Sequence, residues 1–223
     1  MNRTARTVIA LASMSLLSAL GGCYGHGEHT REGMSLAKER MNGLKAATQW
    51  GMADQQFLAG DLKKAKASVQ QSIALNPKVA KSQVLLGRIY LEEGKLEDAR
   101  LALLKAEEID KDYVDAQYYL GIVNERFSQW DEAYTRYSRA AELDAANPQY
   151  VVAAAEMLIA MNKHEEAKAL LTGRSADFQH NAAIRQSLGQ IAMLQRDYPK
   201  AVEFYSDARR LAPDDVMVLE ELV

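Results

Sequence analysis

Few of the side chains that could perform chemistry lie in an arrangement that would let them do so. Residues 164–168 are His-Glu-Glu-Ala-Lys, which begins like the zinc-binding pattern His-Glu-x-x-His but has lysine where the second histidine ligand is required. His26, Glu28 and His29 lie together in a glycine-containing stretch, where nothing fixes a coordination geometry. Neither Gly-x-Ser-x-Gly nor a phosphate-binding glycine loop occurs. We therefore predict no catalytic residue, no metal and no cofactor, and a protein that is not an enzyme.

The composition is that of an ordinary helical protein. Hydrophobic residues make up 48% and charged residues 26% of the 223 residues, with only four prolines. These values exclude collagen-like, low-complexity and polytopic membrane proteins. The 27 basic and 30 acidic side chains give a net charge of −3, so no basic surface indicates a nucleic-acid partner. The single cysteine excludes an internal disulfide and a cysteine-based zinc site.

Residues 1–22 have the organisation of a secretory signal peptide. Arg3 and Arg6 precede an apolar run from Val8 to Leu20. As a helix this run would rise about 20 Å, which is too short for a hydrocarbon core of about 30 Å. A basic start, a short apolar run and small residues after it are typical of a cleaved signal. We favour this interpretation over a buried N-terminal helix.

The end of this segment, Leu20-Gly21-Gly22-Cys23, resembles the lipobox of bacterial lipoproteins. The resemblance implies cleavage before Cys23, a diacylglycerol on its thiol and an acylated amino terminus. Several acyl chains hold a protein on a membrane where one chain is marginal. Gly21 departs from the Ala or Ser that is commoner in this family. Because Tyr24 rather than Asp follows the cysteine, the resemblance implies an outer-membrane location facing the periplasm if the cell has two membranes.

Residues 23–45 are predicted to form the acylated N-terminus and a glycine-containing tether with one short helix that could cap the rest of the chain. Residues 46–215 repeat with a period of 34 residues. One position of the period is always alanine: Ala65, Ala99, Ala133, Ala167 and Ala201. A second is always small: Ala53, Gly87, Gly121, Ala155 and Gly189. A third is large and apolar: Val69, Leu103, Tyr137, Leu171 and Tyr205. A fourth series, from Met52 to Leu188, is apolar in the same phase, and such agreement excludes chance.

This pattern resembles the tetratricopeptide repeat. The second repeat has the fullest match: Leu86, Gly87, Tyr90, Gly94, Leu96, Ala99, Leu103 and Ala106. The resemblance implies an all-α fold, an α-solenoid of about five helix-turn-helix repeats wound as a right-handed superhelix. The repeats are predicted at 46–79, 80–113, 114–147, 148–181 and 182–215. A capping half-repeat follows at 216–223, whose apolar outer edge predicts weak self-association or partner docking.

Close helix packing explains the small residues. The two helices of a repeat approach closely only where neither carries bulk, so we expect Gly87 to face Ala99 and Gly121 to face Ala133. The same structural positions in the last repeat are Gly189 and Ala201.

Glycine and proline residues predict where the helices end. Gly60 and Gly94 are expected to close first helices in the left-handed conformation. Pro77, Pro148 and Pro213 are expected to stop second helices.

In this family, ligands contact the first helix of each repeat, so the resemblance implies a partner-binding groove on the concave face. The groove residues predicted from the family's contact positions are Trp50, Asp54, Phe57, Val84, Arg88, Tyr118, Ile122 and Arg126. Family members that clamp chaperone tails need Lys and Asn where Trp50 and Asp54 stand, so that ligand is not expected. An aromatic and aliphatic groove suits a helix or extended peptide with apolar anchors. The alternative is that some of these side chains only cover the core.

Two classes of function remain open. The first is a membrane-anchored scaffold whose partners are other envelope proteins. It would be similar to tetratricopeptide lipoproteins that assist assembly of pili, secretion channels or outer-membrane complexes, or to adaptors that recruit cell-wall hydrolases. The second is a helical-repeat enzyme or small-ligand receptor, which the lack of a catalytic constellation disfavours.

Overall fold

Ten α-helices and no strand make up the residues that the computed structural model describes, which are 28–173 and 181–213. The all-α repeat fold predicted from the sequence is confirmed. The helices are α1 (Glu28–Leu58), α2 (Leu62–Leu75), α3 (Ala80–Glu92), α4 (Leu96–Ile109), α5 (Val114–Arg126), α6 (Trp130–Leu143), α7 (Pro148–Ala160), α8 (His164–Gly173), α9 (Ala182–Leu194) and α10 (Tyr198–Leu211). The predicted signal peptide, Cys23 and the half-repeat at 216–223 lie outside the described residues.

The chain divides into two compact units, residues 1–45 and 46–223. In the first unit the described part, from Glu28 onward, is helical throughout. The sequence predicts a tether with one short helix here, whereas the structure has an unbroken helix from Glu28. Gly33 and Gly43 have open space around them, and each costs a helix only about 1 kcal/mol relative to alanine. The Ala, Leu, Met, Glu, Lys and Arg residues between them are strong helix formers, which offsets that cost.

The second unit is a solenoid of five helix pairs, which we number as repeats one to five from α1–α2 to α9–α10. Each helix from α2 onward packs against the next helix along the chain. The first helices of neighbouring repeats also pack directly, α3 against α5 and α7 against α9. Each repeat therefore buries its apolar surface against its neighbours, which is how a repeat protein builds a continuous core.

The recurring alanine is a core position in every repeat. Ala65, Ala99, Ala133, Ala167 and Ala201 are each at most 1% exposed. The large residue four positions later lies on the same face of the second helix, one turn on. These residues are also buried: Val69, Leu103, Tyr137, Leu171 and Tyr205. The recurring alanine and the large residue four positions later thus form the buried face of each second helix.

The glycines of the first helices lie closest to the large residue of the following second helix. A Cβ added at Gly121 would lie 2.5 Å from Cε1 of Tyr137, and Ala133 is not among its nearest neighbours. At Gly87 the nearest atoms belong to Leu103, at 2.7 Å, and Ala99 contributes only its carbonyl oxygen at 3.4 Å. The expected approach to Ala99 is present at Gly87 through that oxygen, but in both repeats the large side chain lies closer. The glycines instead accommodate the large side chain one turn beyond the alanine.

Each first helix from repeat one to repeat five is followed by one residue with positive φ. Gly60 and Gly94 have φ of 78° and 70°, as expected, and the equivalent residues Ser128, Asn162 and Arg196 have φ near 60°. The next residue in each turn donates its N–H back into the helix, as Lys95 does to the Tyr90 carbonyl at 2.8 Å. Such left-handed residues close helices by satisfying their last carbonyls.

The three prolines between repeats differ in their position relative to the helices. Pro77 and Pro213 follow second helices, but Pro148 is the first residue of α7. The expectation that Pro148 ends the preceding helix is wrong, since that helix ends at Leu143. Proline at the first helical position removes an N–H that has no partner in any case.

Candidate partner-binding groove

A groove of about 810 Å³ lies along the first helices of repeats two and three. We call it the Arg88 groove, and its lining residues are Phe57, Arg88, Leu91, Glu92, Gly94, Leu96, Tyr119, Ile122 and Arg126. Four of the eight predicted groove residues are among them: Phe57, Arg88, Ile122 and Arg126. The other four, Trp50, Asp54, Val84 and Tyr118, do not line it.

Arg88 is the central charge of the groove. Its guanidinium carbon lies 4.6 Å from the centroid of the Phe57 ring and 5.2 Å from that of Tyr119. Both distances allow cation–π attraction. Within the described residues, no ion pair includes Arg88 or Arg126. The groove thus contains a half-buried cation that is held by aromatic rings and not neutralised by a carboxylate.

Tyr119 is a groove residue that sequence reasoning missed. It is half-buried, and burial raises the pKa of its phenol although the charge of Arg88 acts in the opposite direction. The hydroxyl therefore stays protonated at neutral pH and can donate a hydrogen bond. Adjacent residues of a helix point about 100° apart, since a turn has 3.6 residues. The family's contact positions predict Tyr118 in the groove, and the packing of α5 presents Tyr119 instead.

Tyr118 belongs mainly to the core between repeats three and four. Its ring centroid lies 5.6 Å from that of Tyr137 and 5.2 Å from that of Tyr150. Its hydroxyl accepts a hydrogen bond from Nε2 of Gln149 at 2.6 Å. The ring also packs against two clusters of buried residues. For this residue, the alternative that it covers the core describes the structure better than a free groove position.

Trp50 and Val84 are likewise structural. The Trp50 indole donates its Nε1–H to the Lys81 carbonyl at 3.3 Å, and Nζ of Lys81 lies 4.0 Å from the ring centroid. These contacts join α1 to α3. Val84 is buried, with 3% of its surface exposed, so it cannot contact a partner. Asp54 is half-buried on α1 and lies outside the lining of the Arg88 groove.

An acidic region lies on the first helices of repeats three and four. Glu125 accepts a hydrogen bond from the Tyr137 hydroxyl at 2.6 Å. Burial, together with this hydrogen bond and the Glu125 charge, raises the pKa of Tyr137 far above its ordinary value. Glu156 is exposed, yet desolvation raises the pKa of its carboxyl, with a further contribution from the Glu125 charge. The region therefore disfavours additional negative charge.

The described residues contain no group of three or more His, Cys, Asp or Glu side chains that could hold a metal ion. None of the described helices is long and apolar enough to cross a bilayer.

Two segments of the chain match models of known repeat families. Residues 87–126 match a family model described as TPR repeat, and residues 152–216 match one described as tetratricopeptide repeat. These two segments of the chain are similar to tetratricopeptide repeats. The first match begins at Gly87 and ends at Arg126, so it covers the first helices that line most of the Arg88 groove.

Two curated relatives and one solved structure are similar to this chain. The chain is 26% identical over 141 residues to the type IV pilus assembly protein PilF of Pseudomonas aeruginosa, covering 62% of this chain and 56% of PilF. It is 24% identical over 163 residues to anaphase-promoting complex subunit 3 of Schizosaccharomyces pombe, covering 73% of this chain and 24% of that protein. The chain thus spans just over half of one relative and a quarter of the other. The crystal structure of YrrB, described as a TPR protein with an unusual peptide-binding site, superposes with a TM-score of 0.63 at 19% identity, covering 85% of this chain and 95% of YrrB.

Proposed function

We propose that the protein is an interaction scaffold that binds a segment of a partner protein in the Arg88 groove. The observation that carries this proposal is the groove itself: about 810 Å³ lined by half-buried aromatic, aliphatic and arginine side chains on rigid helices. Aromatic and arginine side chains contribute most of the binding energy at protein interfaces. Helices of a packed solenoid present them without the entropic cost of ordering a loop.

We further propose that the scaffold is held at the bacterial cell envelope by lipid on Cys23 and faces the periplasm from the outer membrane. The lipobox-like residues 20–23 and the apolar run before them support this location. We propose that it assists assembly of a pilus, secretion or outer-membrane complex. Support for the pilus comes from the 26% identity with a type IV pilus assembly protein.

Site-specific photocrosslinking in the producing cell tests the scaffold function. A photoreactive phenylalanine analogue at Ile122 would lie in the groove, and the same analogue at Arg100, which is exposed on α4, provides the matched control. We expect a crosslinked envelope protein from position 122 and none from position 100. The product from position 122 should disappear in the Phe57→Ala, Tyr119→Ala double variant. Crosslinks of equal yield from both positions, or crosslinks that survive the double variant, would contradict binding in the groove.

A further inference from the structure

The lining of the Arg88 groove contains two arginines, Arg88 and Arg126, and one carboxylate, Glu92. Arg88 and Arg126 have no carboxylate at ion-pair distance among the described residues. Glu92 also lines the groove, but it is exposed and forms no ion pair with either arginine. Two other half-buried cations of the solenoid do have carboxylate partners: Lys66 pairs with Glu93 at 2.7 Å, and Arg136 pairs with Glu107.

The orientation of Arg88 suits it to bind a carboxylate from outside. A guanidinium has its N–H groups in the plane of the group, while its faces can stack on aromatic rings. The rings of Phe57 and Tyr119 lie at stacking distance from Arg88. With the aromatic rings next to the group, its in-plane N–H groups can bind a carboxylate through two hydrogen bonds.

The surroundings of Arg88 make such a pair stronger than one on an open surface. Leu91, Leu96 and Ile122 form apolar walls of the same groove, and a bound segment would exclude further water. Charge-assisted hydrogen bonds gain strength where the local dielectric constant is low. The same walls offer contact surface to apolar side chains that neighbour the carboxylate in the partner.

We infer that the Arg88 groove takes an extended partner segment in which an acidic side chain lies between apolar residues, with the carboxylate on Arg88. This inference rests on the proposed function and specifies the partner's chemistry. Glu125 and Glu156 lie on the neighbouring first-helix surface of repeats three and four, where their mutual charge repels acid. The acidic residue of the segment is therefore confined to the side of Arg88, and Arg126 adds a second, exposed cation there.

Selection of binders from a random 12-residue peptide library tests the inference. The full-length chain is the target, and each peptide is fused to phage through its C-terminus, so that no free terminal carboxylate is present. Peptides that bind the parent chain should be enriched in Asp or Glu next to apolar residues. The Arg88→Glu variant should instead select peptides with Lys or Arg at that place. The exposed, unpaired Arg100 on α4 supplies the control, because Arg100→Glu should select the same acidic peptides as the parent.

Affinity measurements complete the test with one acidic peptide from the selection. Its Kd should rise about tenfold or more for Arg88→Gln, stay within about twofold for Arg100→Gln, and rise with added salt. Circular dichroism identifies any variant that fails to fold, and Arg88→Lys then serves as the second variant, with a smaller loss because it keeps the charge but not the planar fork. Selected peptides that lack acidic residues, or that bind Arg88→Gln like the parent, would overturn the inference and leave the scaffold function standing. Selected peptides that bind the Phe57→Ala, Tyr119→Ala double variant as well as the parent would show that they bind outside the groove, and would overturn both.

Discussion

The ring of Tyr137 fills the space that a side chain at Gly121 would need. A Cβ at position 121 would lie 2.5 Å from Cε1 and 2.6 Å from Cδ1 of that ring. The ring is buried, and its hydroxyl donates to Glu125, so it cannot swing aside. The close approach of α5 to α6 therefore depends on the absence of a side chain at this one position.

We expect Gly121→Ala to lower the free energy of unfolding by about 1–3 kcal/mol, because the added methyl group overpacks against an immobile ring. Gly51→Ala is the matched control, since Gly51 lies in α1 with nothing within 4 Å of an added Cβ. That change should raise the free energy of unfolding by about 0.5–1 kcal/mol through helix propensity alone. Urea unfolding followed by circular dichroism measures both. Equal effects of the two substitutions would contradict the packing argument.

Replacing the non-glycine residues of positive φ should stabilise the protein. Ser128 and Arg196 have φ of 58° and 61°, a conformation that costs an L-residue about 1–2 kcal/mol. Ser128→Gly and Arg196→Gly are expected to raise the free energy of unfolding by about 0.5–1 kcal/mol each, after the greater flexibility of glycine in the unfolded chain is subtracted. Gly94→Ala should act in the opposite direction by about 1 kcal/mol. Thermal unfolding of the three variants checks the signs.

Tyr118→Ala should destabilise the fold and not merely weaken binding. The ring contacts Tyr137 and Tyr150 in the core between repeats three and four, so truncation leaves a cavity and should cost about 2–4 kcal/mol. Tyr118→Phe removes only the hydrogen bond from Gln149 and should cost about 0.5–1.5 kcal/mol. Differential scanning calorimetry distinguishes the two. An unchanged melting temperature for Tyr118→Ala would show that the residue is a free groove side chain after all.

The carboxyl of Glu156 should make the free energy of unfolding fall as pH rises, which is the opposite of the effect of a carboxyl whose pKa is lowered by folding. Desolvation and the Glu125 charge raise its pKa above the ordinary 4.5. Between the unfolded and the folded pKa the folded state binds more protons, so the contribution of Glu156 to stability falls as pH rises through that window. Glu156→Gln should therefore raise the free energy of unfolding at pH 7, by a modest amount because Glu156 is exposed. The advantage should vanish as the pH falls below 4.5. An advantage that grows in acid would contradict the assignment.

Lipidation of Cys23 is tested by Cys23→Ala. The variant should remain uncleaved or be released from the membrane fraction, because it lacks the thiol that would carry the diacylglycerol. Intact-mass spectrometry of the parent should find a protein that begins at Cys23 and carries acyl chains. A parent and a variant with the same fractionation and the same processing would refute the anchor.

The sequence determined by itself the repeat unit, the helix pairs and the inner face of the second helices. A period of 34 residues with alanine in one phase and a large apolar residue four positions later is enough for this, because both positions follow from the geometry of a single helix. The sequence also predicted that Gly60 and Gly94 end first helices in the left-handed conformation, because only the local backbone conformation is involved.

The tertiary structure decided which first-helix side chains remain available to a partner. Trp50, Val84 and Tyr118 occupy the same repeat position, yet the first joins α1 to α3, the second is buried and the third packs against Tyr137 and Tyr150. Periodicity shows on which face of its own helix a residue lies, where adjacent residues point about 100° apart. Whether that face meets solvent or the next repeat depends on how neighbouring helices rotate as they pack, and this rotation is set by side chains distant in the sequence. Tyr119 lines the groove and Tyr118 does not for that reason.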